Sequence, residues 1–164
     1  MPVDLRPLMS ADQPVLWEML YHTIYVPNGQ KLPSRAILES PDIARYAEGW
    51  GRPGDIGYLA FEGGVLVGVV WLRLMHGYGY VEEDIPELSI AVLPNHRGKG
   101  IGTSLMQAII NSAELIYRGL SLSVALENPA AKLYERFGFR NLRLVGDSKI
   151  MLRRFKDDRT KITQ

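Results

Sequence analysis

Apolar and polar residues follow two different periods along this chain. From Thr103 onward, Leu105, Met106, Ile109, Ile110, Ala113 and Ile116 recur at three- and four-residue spacings, which predicts a helix that buries one stripe. The stretch "IGYLAFEGGVLVGVVWLRL" instead reads as two β-rich runs around Gly63 and Gly64, the strongest hairpin signal in the chain and an antiparallel pair. "VDLRPL", "ELSIAVLP" and "LSLSVAL" read as further strands, the second ended by Pro94. "SADQPVLWEMLYHTIY" reads as a helix capped by Ser10 or Asp12 near Pro14, and "NPAAKLYERFG" as a short helix ended by Gly138. "RNLRLVGDSKIMLRR" carries strand material on both sides of Gly146 and Asp147, and "FKDDRTKITQ" reads as a solvated tail. Residues 26–57, rich in Pro, Gly and polar side chains, hold a short helix around "PDIARYAEG" and form a candidate substrate-binding region.

Composition narrows the chemistry. The 164 residues suit one domain with a sizeable core. A net charge of +1 supplies no long-range field of the kind nucleic-acid binders show. The absence of cysteine excludes disulfides, thiolate metal sites and a cysteine nucleophile. No signal pattern opens the chain, and no apolar run reaches the roughly 18 residues of a membrane span. The expectation is a cytoplasmic protein without a membrane or nucleic-acid partner and without a metal.

Local chemistry concentrates in "LPNHRGKGIGTSLMQAI", residues 93–109. Gly98, Gly100 and Gly102 remove the Cβ atoms that would keep a ligand away from the backbone, just where a helix directs its unpaired N–H groups. Arg97 and Lys99 add positive charge at the positive end of the helix dipole. That combination suits a phosphate or pyrophosphate. A tight strand-to-helix turn with two solvated cations is the plainer alternative.

The order strand, "LPNHRGKGIG", amphipathic helix, strand, "ENPAAKLYERFGF" resembles the acetyl-CoA-binding core of the GCN5-related N-acetyltransferase (GNAT) superfamily. Arg97, Gly100 and Gly102 match that family's Arg/Gln-x-x-Gly-x-Gly/Ala signature, and Asn128, Ala131, Tyr134, Gly138 and Phe139 match its Asn-x-x-Ala-x-x-Tyr-x-x-x-Gly-Phe pattern. The resemblance implies an α/β protein of the mixed α+β kind: a central, mostly antiparallel twisted sheet with one splayed parallel strand pair, flanked by helices. It implies one domain over residues 1–164, with an acetyl-CoA-binding core at about 58–140 and a variable acceptor side at about 26–57.

By the same resemblance, the backbone of Arg97, Gly98, Lys99, Gly100, Ile101, Gly102 and Thr103 would cradle the CoA pyrophosphate. Ile90, Ala91 and Val92, on a strand splayed from its neighbour, would pair with the pantetheine amides. Asn128, in the motif it shares with Ala131, either hydrogen-bonds the pantetheine arm or caps the helix beginning at Pro129. Tyr134 would protonate or hydrogen-bond the departing thiolate, or else is an amphipathic tyrosine packed on the sheet.

The implied reaction is N-acetyl transfer from acetyl-CoA, as co-substrate, to a small-molecule or peptide amine by direct attack. A base is then needed for an amine of high pKa. "YVEEDIPEL" offers Glu82, Glu83, Asp84 and Glu87, of which Glu87 is placed best, and this acidic run hints at a cationic acceptor. His22, with Tyr21 and Tyr25, is a candidate wall of the acceptor pocket, and His96 a contact for solvent or phosphate. A homodimer is compatible with this reading. The alternatives are a non-catalytic acyl-CoA sensor and a dinucleotide-binding oxidoreductase; against the latter, the glycines are spaced G-x-G-x-G and Thr103 stands where a third Rossmann glycine belongs.

Overall fold

Gly63 and Gly64 take φ of 58° and 81°, left-handed values that suit the tight turn of a twisted hairpin. They join β2 (Ile56–Glu62) to β3 (Val65–Arg73) in an antiparallel pair, as the alternation predicts. The computed structural model describes residues 2–155; of the expected solvated tail, Phe155 instead donates its N–H to the Arg118 carbonyl at 2.9 Å and packs against the core, and residues 156–164 lie outside the described residues. β1 (Val3–Pro7) pairs antiparallel with β2, and β4 (Glu87–Val92) with β3. β5 (Gly119–Ala125), β6 (Arg140–Val145) and β7 (Ser148–Arg154) complete a seven-stranded sheet in the order β1-β2-β3-β4-β5-β7-β6. Among the described residues only β4 and β5 run parallel, and they meet at a single register position, Glu87 opposite Ser121. A doubly wound dinucleotide fold would be mostly parallel; this sheet is mixed, with one parallel pair.

Successive strand residues face opposite sides, and β3 is buried on both. Val70 and Leu72 pack in the cluster that contains α3 (Ile101–Ala113), while Val69 and Trp71 pack with α1 (Gln13–Tyr21) and with Tyr46, Ala47 and Trp50. Leu105, Met106, Ile109, Ile110 and Ala113 form the buried stripe that their spacing predicts. Ile116 departs from it: the helix ends at Ala113, and Leu115 and Ile116 lie exposed in the turn beyond. α1 is also shorter than the pattern suggests. It stops at Tyr21, so residues 22–33 leave the helix and form an irregular wall. Asp12 stands at its N-cap but makes no capping bond; its carboxylate accepts instead from the Met9 N–H at 2.7 Å and pairs with Arg6.

α2 (Pro41–Ala44) is short, and the irregular chain after it is held by an ion pair. Arg73, the last residue of β3, donates to both carboxylate oxygens of Asp55 at 3.1 and 2.8 Å and to the carbonyls of Arg45 and Glu48 at 3.0 and 2.6 Å. Both charged side chains are almost fully buried, 1% and 3% exposed. α4 (Ala131–Arg136) is followed by Gly138 at φ 86°, the left-handed residue that ends it. No described helix is long and apolar enough to cross a membrane.

Candidate functional site

Beyond Glu87 and Ser121 the parallel strands separate, and a groove of about 1020 Å³ opens at their C-terminal ends. Ile90, Ala91 and Val92 line one side of it. β4 hydrogen-bonds β3 along its other edge, so its outward groups at these residues lack a strand partner. Next comes the glycine turn. Gly98 and Gly100 take φ of 77° and 85°, and a Cβ on either would meet nothing within 4 Å, so the backbone faces open space. Gly100 is the N-cap of α3. Gly102 has ordinary φ and a different reason to be small, because a Cβ there would lie 3.3 Å from Leu133 Cδ2 on α4.

Arg97 lines the groove and donates from Nε to the Val92 carbonyl at 3.0 Å. Ile101 and Thr103 line it as well, whereas Lys99 does not; its Nζ turns to Glu62 at 3.6 Å. His96 is at the groove edge, with Nδ1 3.7 Å from Glu62. Asn128 Oδ1 accepts from the Ala130 N–H at 2.9 Å in a turn ahead of α4 while lining the groove; the helix begins at Ala131 rather than Pro129, and its N-cap is Ala130, with no side-chain capping bond. Ala131 is buried in the core beside it and does not line the groove.

Tyr134, on α4, reaches the groove from a nearly buried position and stands edge-on to Phe139 at 6.2 Å. Burial pushes its phenol up to about 12, so it stays protonated across the neutral range. The facing wall is residues 21–33. Tyr21 donates its hydroxyl to the Pro33 carbonyl at 2.6 Å, and Tyr25 donates to the Glu127 carbonyl at 3.2 Å, tying the wall to the end of β5. His22 lies on this wall, and burial holds its imidazole below the usual histidine value.

Glu87 is not brought to the groove. It is 4% exposed, with one oxygen accepting from the Tyr46 hydroxyl at 2.6 Å and the other from the Gly79 N–H at 3.0 Å. Burial raises its pKa despite those bonds. The rest of the acidic run is also occupied elsewhere: Glu82 and Asp84 pair with Arg118, and Glu83 with His76 at 2.8 Å. Sequence reasoning missed Tyr46 as the partner of Glu87, since nothing local marks a contact across 41 residues. The one available signal for the second buried network was Arg73, a cation closing an otherwise apolar strand.

The sequence profile of the acetyltransferase (GNAT) family matches residues 17–139. The chain belongs to this family. Among GNAT relatives, an N-alpha-acetyltransferase of Sulfurisphaera tokodaii is 32% identical over 98 residues, 54% of this chain and 58% of that protein. One from Sulfolobus acidocaldarius is 35% identical over 102 residues, 56% and 60%. The similarity thus spans under two thirds of the length of these relatives. In fold, the GNAT chain is similar to a PaiA N-acetyltransferase from Thermoplasma acidophilum in complex with coenzyme A (TM-score 0.66, 20% identity, covering 94% of this chain and 100% of that one). It is also similar to YncA, a putative acetyltransferase from Salmonella typhimurium with its cofactor acetyl-CoA (TM-score 0.69, 19% identity, covering 94% and 95%).

Proposed function

We propose that this protein is an N-acetyltransferase that moves the acetyl group of acetyl-CoA directly to a primary amine. The observation that carries this reading is the separation of β4 from β5, facing the glycine turn of α3, with Tyr134 in the same groove. The CoA and acetyl-CoA complexes of its structural neighbours and the names of its sequence relatives support it.

In this reading the 97–103 turn binds the pyrophosphate, with Gly98 and Gly100 exposing backbone N–H groups and Arg97 adding charge. The pantetheine arm pairs with Ile90, Ala91 and Val92. The neutral amine attacks the thioester carbonyl carbon, forming the C–N bond; the C–S bond breaks, and the sulfur takes a proton as it leaves. Tyr134 either gives the thiolate that proton and regains one from solvent, or hydrogen-bonds the thiolate while solvent protonates it; the nitrogen loses a proton to solvent, so the products are the amide and CoA. With no cysteine, no acyl-enzyme is invoked.

CoA or acetyl-CoA should stabilise the fold by mass action, by about 2.7 kcal/mol at a hundredfold excess over Kd. For a chain of this size that raises Tm by about 5–10 °C. Thermal melting with CoA and, separately, NADH checks it; a response to NADH alone would transfer the groove to the oxidoreductase reading. Gly100→Val should weaken CoA binding at least about tenfold, because a branched side chain would stand where the backbone meets the ligand. The positive φ at Gly100 adds a stability cost of about 1–2 kcal/mol. Gly102→Val avoids the positive-φ strain but presses on Leu133, whose Cδ2 lies 3.3 Å from the added Cβ, so it serves as the companion once its folding is verified. Unchanged CoA affinity by calorimetry in both folded variants would contradict the cradle.

A further inference from the structure

We propose, resting on the acetyl-transfer reading, that the acceptor is a weakly basic amine carried on an uncharged, apolar group, such as the α-amine of an apolar peptide, and that the groove disfavours polycationic amines. The acidic run at residues 82–87 suggests the opposite in the sequence, but its carboxylates are paired or enclosed away from the groove. Glu18 is drawn to Arg35 at 2.7 Å, and Glu62 lies between Lys99 and His96. Among the described residues lining the groove there is one carboxylate, Glu127, against Arg97 and Arg136.

The wall opposite the glycine turn has the same character. Residues 21–33 contain neither Asp nor Glu. Tyr21 and Tyr25 turn their hydroxyls to backbone carbonyls, which leaves ring faces, with Ile24, Val26 and Leu32, as the groove surface. His22 adds no fixed positive charge at neutral pH, since burial, with Arg35 and Arg97 nearby, holds its imidazole below the usual value against the opposing pull of Glu18. With Arg97 turned to the pyrophosphate, an incoming polycation meets a wall of apolar surface without a carboxylate to pair its charges, and discrimination arises from that missing partner.

The scarcity of carboxylates also bears on the attacking proton. At pH 7.4 about a quarter of an α-amine is already neutral, against roughly one in a thousand of a lysine side chain. A weakly basic amine needs little help from the protein, whereas a strongly basic one needs a strong base, and this wall offers the weakly basic His22 imidazole and no carboxylate.

Initial rates of CoA thiol release should be measured with acetyl-CoA and three acceptors: a tripeptide amide of alanine and valine with a free α-amine, an α-acetylated counterpart whose sole amine is a lysine side chain, and spermidine. The expected kcat/KM for the first exceeds the other two by at least about tenfold. Equal or greater kcat/KM with spermidine or the lysine peptide would overturn the proposal. Gln30→Glu places a carboxylate on the exposed wall with little change of shape, and should raise spermidine turnover a few-fold relative to the α-amine peptide; an unmoved ratio counts against the proposal. Silence with every acceptor, while CoA still raises Tm, would instead overturn acetyl transfer itself and take the acceptor assignment with it.

Discussion

Tyr134→Phe is expected to slow the chemical step by about 10²-fold while leaving CoA affinity within a few-fold. The ring fills the same space against Phe139, so packing is retained and only the hydroxyl is lost. Since the wild-type phenol is pushed up to about 12, it remains a proton donor through neutral and mildly alkaline pH. The wild-type rate should therefore show no fall from tyrosine ionisation between about pH 7 and 9, where the fraction of neutral amine rises. Single-turnover measurement is required, because slow product release would mask a loss in chemistry. A wild-type rate in the variant would leave Tyr134 as a packing residue. Radiolabelled acetyl retained covalently on the protein would replace direct transfer by a two-step route.

Asp55→Ala should destabilise the protein by about 3–5 kcal/mol, the cost of stranding a buried charge. The loss is compounded, because the Asp55 carboxylate also accepts from the Gly51 and Arg52 N–H groups at 3.0 Å each. Replacing both partners, Arg73→Met with Asp55→Leu, should recover only part of this. It removes the orphaned charge but strands the Arg45 and Glu48 carbonyls that the guanidinium now satisfies. Urea unfolding of the variants measures both effects, and a loss under about 1 kcal/mol in Asp55→Ala would show the pair to be dispensable. The same segment carries Tyr46 to Glu87, so the variant should also loosen the far end of β4.

Periodicity made the sheet and its helices legible because burial on one face leaves a local trace. Val69 and Trp71 alternate with Val70 and Leu72 whatever they pack against, and Gly63 with Gly64 marks a turn by backbone geometry alone. The end of α1 was less legible. "HTIY" continues the apolar spacing without a glycine stop, and only the bonds of Tyr21 and Tyr25 to distant carbonyls show that the chain has become a wall. Gly98, Gly100 and Arg97 sit together because they are neighbours in the chain, whereas Tyr134, across a helix and a strand, was placed beside them by the family resemblance of its motif, and it lines the same groove. Glu87 shows the limit. Its position next to the acidic run suggested access, whereas access is decided by Tyr46 and Gly79, side chain and backbone supplied from other parts of the chain. Charge composition misled for a similar reason, since the partners of Glu82 and Asp84 come from Arg118, more than thirty residues away.

The single meeting point of β4 and β5 makes the sheet two panels, β1 to β4 and β5 to β6, joined at one rivet. Beyond the strands the Tyr25 hydroxyl reaches across to the Glu127 carbonyl after β5, while the Arg97 side chain holds the Val92 carbonyl on the β4 side alone. In the acetyl-transfer reading proposed above, a pantetheine arm entering the open seam would act as a temporary strand, stitching the panels along their length. Amide hydrogen exchange on either side of the seam should then slow together when CoA binds, giving the two panels a common mechanical fate that the bare sheet lacks.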